Sequence, residues 1–124
     1  MRRYPGLTLR ALAGDFPAMG PGRAQLIGLI GATGSISAAA REMGMFYRRA
    51  WQLVEAINAS FNQSVVVTAV GGKRGGGAVV TDFGKRIVQA YHRTESKASA
   101  AIAADLGKYS AAHLRKPGSK PGSR

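Results

Sequence analysis

Five glycines fall within the seven residues Gly71-Gly72-Lys73-Arg74-Gly75-Gly76-Gly77, between the β-branched run Val65-Val66-Val67-Thr68-Ala69-Val70 and the shorter Ala78-Val79-Val80. β-Branched residues favour strands, and glycine at that density supports neither a helix nor a strand across the interval. The pattern predicts a hairpin whose mobile, basic tip carries Lys73 and Arg74. A nucleotide-binding phosphate loop would need G-x-x-x-x-G-K-[ST], and here Lys73 is followed by Arg74, so that reading fails.

Upstream of the hairpin the periodicity is helical. Pro21 suits a first helical turn, and Leu26, Ile27, Leu29 and Ile30 form the apolar face of a helix that Gly31 and Gly34 weaken and end. Ser35 is a natural N-cap for a short helix over Ile36 to Met43, which Gly44 stops in the left-handed conformation. After Gly44-Met45-Phe46 a longer helix is expected from about Tyr47 to Phe61, with Ala50, Trp51, Val54, Ile57 and Phe61 on its apolar face. Before all of these, Leu7 to Leu12 alternates as one strand does, and Gly14-Asp15 and Pro17 are expected to stop it.

Downstream, Thr81 caps the last helix and Asp82 sits in its first turn, where negative charge favours the dipole. Phe83, Ile87, Tyr91, Ala98 and Ile102 lie on or near one face, and the helix should last to Leu106, before Gly107. Past Leu114 the chain repeats Lys-Pro-Gly-Ser, which is expected to be disordered. The organisation read from this is one domain over residues 1–114, with a dimerisation helix at about 81–106, and a basic tail over 115–124.

Two helices joined by a short glycine-containing turn and followed by a hairpin make a mainly α fold with a small β wing, a winged helix-turn-helix. Ala39 and Ala40 supply the small residues that a close helix crossing requires. Opposite its core face the second helix of the motif presents Tyr47, Arg48, Arg49, Gln52 and Glu55. The N-terminal end of that helix is what such an architecture inserts into a major groove. Arg48 and Arg49 each offer a planar fork to guanine O6 and N7 or to a phosphate, and Gln52 matches an adenine edge. Lys73 and Arg74 on the wing would position more than specify. Ser35 and Ser37 lie where a helix start can bond phosphate.

Charge agrees with this reading. The chain has 124 residues, 18 Lys and Arg against 6 Asp and Glu, and a net charge of +12, which points to a polyanionic partner. With 45% hydrophobic residues and a mean hydropathy of −0.08 it is a globular protein rather than a basic tail. No cysteine is present, which removes disulfides, thiolate metal sites and a Cys nucleophile together. Arg10 and Asp15 interrupt the apolar stretch that would make the N-terminus a signal peptide, and no transmembrane-length apolar run occurs. A cytoplasmic, nucleoid-associated protein is the expectation.

Gly34-Ser35-Ile36-Ser37-Ala38-Ala39-Ala40 resembles the first half of the helix-turn-helix of LysR-type regulators. The run Gly71 to Thr81, with Gly44, Tyr47, Ala50-Trp51 and Asn58, resembles more specifically the N-terminal DNA-binding domain of the molybdate-responsive ModE family. The likeness covers about residues 5 to 105. It implies a DNA-binding homodimer that represses, and sometimes activates, genes of molybdenum uptake and use, with dimer contacts from the N-terminal strand and the long helix after the wing. Two positions depart from the family. Phe46 stands where a small capping residue is usual, which costs about 1 kcal/mol of helix stability. Arg74 stands where the wing usually has glycine. The family carries molybdate in C-terminal oligosaccharide-binding-like domains, and no second run of strands follows Leu114. The expectation is therefore a bare DNA-binding module without a cofactor, or one that receives its signal through a separate ligand-sensing protein.

Plainer readings apply to single residues. Trp51, between Ala50 and Val54, belongs to a core more readily than to a base stack, and Glu55 reads as a surface charge. His92 and His113 lack partners at metal-ligand spacing and the six acids form no cluster, so neither a metal site nor an enzyme is expected. The Ala98 to Ala104 stretch offers too little apolar area to insert into a membrane and suits close helix packing instead. Two rivals to a sequence-specific regulator stay open: a sequence-indifferent architectural DNA-binding protein, and an adaptor that dimerises with a full-length regulator.

Overall fold

The structure, a computed structural model, describes residues 10–13, 16–69 and 77–107. Its elements run β1 (Ala11–Ala13), β2 (Phe16–Met19), α1 (Pro21–Thr33), α2 (Ile36–Met43), α3 (Tyr47–Ala59), β3 (Val66–Ala69), β4 (Gly77–Val80) and α4 (Asp82–Asp105). Helices dominate, and two separate antiparallel pairs, β1 with β2 and β3 with β4, supply the strands. This is a winged helix-turn-helix followed by a long C-terminal helix.

The N-terminal segment departs from the expectation of one strand. Residues 1–9 lie outside the described residues, β1 covers Ala11–Ala13, and Pro17 lies inside a partner strand, opposite Leu12. A two-stranded sheet leaves each strand with a free edge, where a residue without an N–H can sit without breaking a ladder bond. The register shifts between Ala11 and Leu12.

Helix α1 is the centre of the core: Leu26, Ile27 and Ile30 are each at most 1% exposed. Each such side chain contributes about 1.5–3 kcal/mol relative to an exposed one. Gly31 stays inside α1, and it is Gly34, at φ 70°, that ends it. The Gly34 N–H donates to the Ile30 carbonyl at 2.7 Å, and the Gly34 carbonyl accepts from Ala78 N–H at 3.0 Å, which ties the end of α1 to β4.

Ser35 caps α2 as expected, its Oγ accepting from Ala38 N–H at 3.0 Å. Gly44 ends α2 at φ 67°. Ala39 and Ala40 of α2 and Ala50 of α3 are buried to 2% or less, small side chains that allow the two helices to cross closely. Helix α3 stops two residues before the expected Phe61. Ser60 Oγ donates back to the Ala56 carbonyl at 2.8 Å, a local bond that competes with another helical turn. Phe61 turns away to pack edge-on against Phe83 of α4, with ring centroids 5.7 Å apart.

The wing strands pair Val66 with Val80 and Ala69 with Gly77. Val65, Val66, Ala78 and Val80 face the core, while Val67 and Val79 are exposed. Thr81 Oγ1 accepts from Gly84 N–H at 2.9 Å and donates to the Ser64 carbonyl at 2.7 Å, so one hydroxyl caps α4 and holds the segment before β3. Helix α4 is anchored by Gly84 and Tyr91, and most of its residues beyond Tyr91 are exposed.

Candidate nucleic-acid interface

The turn at Gly44 delivers the chain to the start of α3 with its polar side outward. Ala50, Val54 and Ile57 are buried, Trp51 and Leu53 pack half-buried against the core, and Arg48, Arg49, Gln52 and Glu55 are exposed. Tyr47 is about half exposed and meets Trp51 edge to face at 6.1 Å, so the indole supports the tyrosine instead of facing solvent alone. The structure thus gathers Tyr47, Arg48, Arg49 and Gln52 at one accessible helix end.

Phe46 occupies the cap position with extended backbone, φ −69° and ψ 148°, and makes no side-chain cap bond. Its ring is 87% exposed, so the loss of a cap is not offset by burial. At the start of α2, the Ser35 Oγ accepts from Ala38 N–H, which leaves its hydroxyl proton available to donate. Ser37 Oγ accepts from Arg41 Nη1 at 3.3 Å, which leaves its proton free in the same way. Lys73 and Arg74 lie outside the described residues, as do the tip around them and the tail 115–124.

Two residues that were given no role on sequence alone matter to the arrangement. Asn58 of α3 latches the wing: its Oδ1 accepts from Val65 N–H at 2.8 Å and Val66 N–H at 3.1 Å, and its Nδ2 donates to the Val66 carbonyl at 2.9 Å. Arg23, the one charged residue of α1, lies partly buried, and its Nη1 is buried without a hydrogen-bond partner. Burial, and secondly the positive charge of nearby Arg49, hold the Arg23 guanidinium below its ordinary pKa. An arginine nonetheless stays charged at neutral pH. The sequence signal was the lone cation in an otherwise uncharged helix.

Among the described residues, the contact of His92 Nδ1 with Glu95 Oε1 at 2.9 Å on α4 involves neither Arg23 nor Arg49, and no carboxylate pairs with either arginine. No group of three His, Asp or Glu among the described residues could hold a metal ion. Among the described residues, the positive charge and hydrogen-bond donors at this end of α3 suit an anion-lined groove.

No protein-family model matches the chain. It is 50% identical over 78 residues to the molybdenum-pterin-binding protein MopB of Rhodobacter capsulatus, which covers 63% of this chain and 29% of that protein. It is 41% identical over 71 residues to the DNA-binding transcriptional dual regulator ModE of Escherichia coli K12, covering 57% of this chain and 27% of ModE. To MopA of R. capsulatus, also a molybdenum-pterin-binding protein, it is 36% identical over 86 residues, 69% of this chain and 32% of that one. The chain therefore spans less than a third of the length of these curated relatives. It is homologous to ModE and the Mop proteins and matches the N-terminal region of ModE.

Proposed function

We propose that this homologue of ModE and the Mop proteins is a sequence-specific, double-stranded DNA-binding transcriptional regulator of molybdenum-related genes. It acts in the cytoplasm as a repressor, and as a homodimer on an inverted repeat. The observation that carries the reading is the exposed end of α3, where Tyr47, Arg48, Arg49 and Gln52 project from a helix whose opposite side is locked into the core.

In mechanism, that end enters a major groove. Gln52 bonds an adenine edge, and an arginine fork takes guanine O6 and N7, each good pairing contributing about 1–3 kcal/mol of discrimination. Ser35 and Ser37 donate to backbone phosphates at the start of α2, and Lys73 and Arg74 grip the flank through the wing. These contacts hold the register in which α3 reads. The exposed distal half of α4 is the surface through which two copies pair, and the two-fold axis calls for half-sites in inverted orientation. No helix among the described residues is long and apolar enough to cross a membrane.

A net charge of +12 favours a second reading, an architectural protein that binds any duplex. Selection from random duplex DNA on the purified protein separates the two. An enriched palindromic motif is the expected result, and enrichment no better than background would leave only the architectural reading.

A further inference from the structure

We propose that Phe46 is a base-reading residue, its ring taking the C5-methyl group of a thymine in the groove that α3 enters. The assignment rests on the DNA-binding reading above and adds to it a specificity-determining residue.

The Phe46 ring is 87% exposed, whereas no other large hydrophobic side chain among the described residues exceeds 56%. A slack backbone is not the cause. Before it, the Met45 N–H donates to the Ala40 carbonyl at 3.0 Å and Met45 packs half-buried against the core. After it, the Phe46 carbonyl accepts from Ala50 N–H at 3.1 Å. The ring is thus held out from a fixed point at the start of α3. This position costs the free protein twice, through the missing side-chain cap bond and through apolar surface left in water. The second cost is recovered when the ring meets an apolar surface.

The place of the ring decides which surface that is. Phe46 adjoins the exposed Tyr47, Arg48, Arg49 and Gln52, and of these residues it alone has neither a donor nor an acceptor in its side chain. A major groove displays hydrogen-bonding edges and one kind of apolar group, the thymine methyl. Set against a purine N7 or a cytosine amino group, the ring would strip water from a polar atom and return no hydrogen bond. Set against the methyl, it buries carbon on carbon. Tyr47 does not compete for this contact, because its ring meets Trp51 edge to face at 6.1 Å and its hydroxyl calls for a polar partner.

The test uses the full chain and the duplex motif that selection enriches. Each thymine is replaced in turn by deoxyuridine, which removes the methyl group and keeps the base pair. One thymine per half-site should matter to the wild type, with affinity falling about three- to fivefold for the lost methyl. The same replacement should leave Phe46→Ser unaffected, while Phe46→Leu, still apolar, should keep part of the effect. Phe46→Ala serves in place of the serine variant should that one fail to fold. Phe46→Ser should also keep the wild-type salt slope, because no charge is lost, and its thermal midpoint without DNA should not fall. Lower affinity for the thymine duplex with those two unmoved is a loss of reading rather than of folding. If no deoxyuridine weakens the wild type, or if Phe46→Ser loses the same factor at that thymine, the inference falls and the DNA-binding reading stands. Selection that enriches no motif removes both. Sedimentation without DNA tests the other occupant: self-association of the wild type that Phe46→Ser abolishes would give the ring to a second copy and overturn the inference.

Discussion

A Cβ placed on Gly84 would meet the Val65 carbonyl oxygen at 2.5 Å and the Val65 and Val80 Cγ1 atoms at 2.9 Å. The obstacle includes backbone, so α4 would have to lift off the wing rather than let a side chain rotate. Gly84→Ala is expected to destabilise the protein by about 1–3 kcal/mol in urea unfolding. Gly28 makes the opposite case. It lies on the exposed side of α1 with nothing within 4 Å of its would-be Cβ, so Gly28→Ala should stabilise by about 0.5–1 kcal/mol. Equal effects at the two sites would mean that α4 does not press on the wing as described. Phe46 belongs to the same scale. Its ring is exposed and its position lacks a cap bond, so Phe46→Ser should add about 1 kcal/mol by accepting from an N–H in the first turn of α3. A lower thermal midpoint in that variant would show that the exposed ring packs against something after all.

At the scale of elements, Asn58 decides whether α3 and the wing move as one body. Asn58→Ala leaves the Val65 and Val66 N–H groups and the Val66 carbonyl without these partners, beside side chains at most 2% exposed. A loss of about 2–3 kcal/mol is expected, with hydrogen-exchange protection at Val65 and Val66 falling before that of α1. Uniform loss of protection would instead make the latch part of the global core. The elements that sequence chemistry located well are those with local causes. As helix caps, Ser35, Gly44 and Thr81 each act within three or four residues of themselves, and so the bounds of α2 and the start of α4 were legible. The polar face of α3 was legible through its 3.6-residue period. Strand β2 was not, because Pro17 reads as a stop until a partner strand makes it an edge. The roles of Asn58 and Arg23 were not legible for the same reason, since what gives each its role lies on another element.

For the whole molecule the question is how the +12 charge divides between affinity and choice. Arg115, Lys116, Lys120 and Arg124 lie in a segment without an acid, while Arg48 and Gln52 sit on a rigid helix end. Charges on an unspecified segment release counterions from any duplex, and groups fixed against base edges discriminate between duplexes. Deleting residues 115–124 should therefore weaken binding to all sequences by one common factor and lower the salt slope by up to about 3–4 units, leaving the selected motif unchanged. Gln52→Ala should do the reverse, relaxing the motif at one base pair per half-site while the salt slope stays as it was, because glutamine releases no counterion. A duplex with one half-site inverted separates these effects from dimer geometry. It keeps every local contact available and breaks only the two-fold relation, so the wild type should bind it as a single half-site, with the tail still contributing its salt-dependent share. If the deletion alters the motif, or Gln52→Ala alters the slope, affinity and choice are not carried by separate parts of the chain.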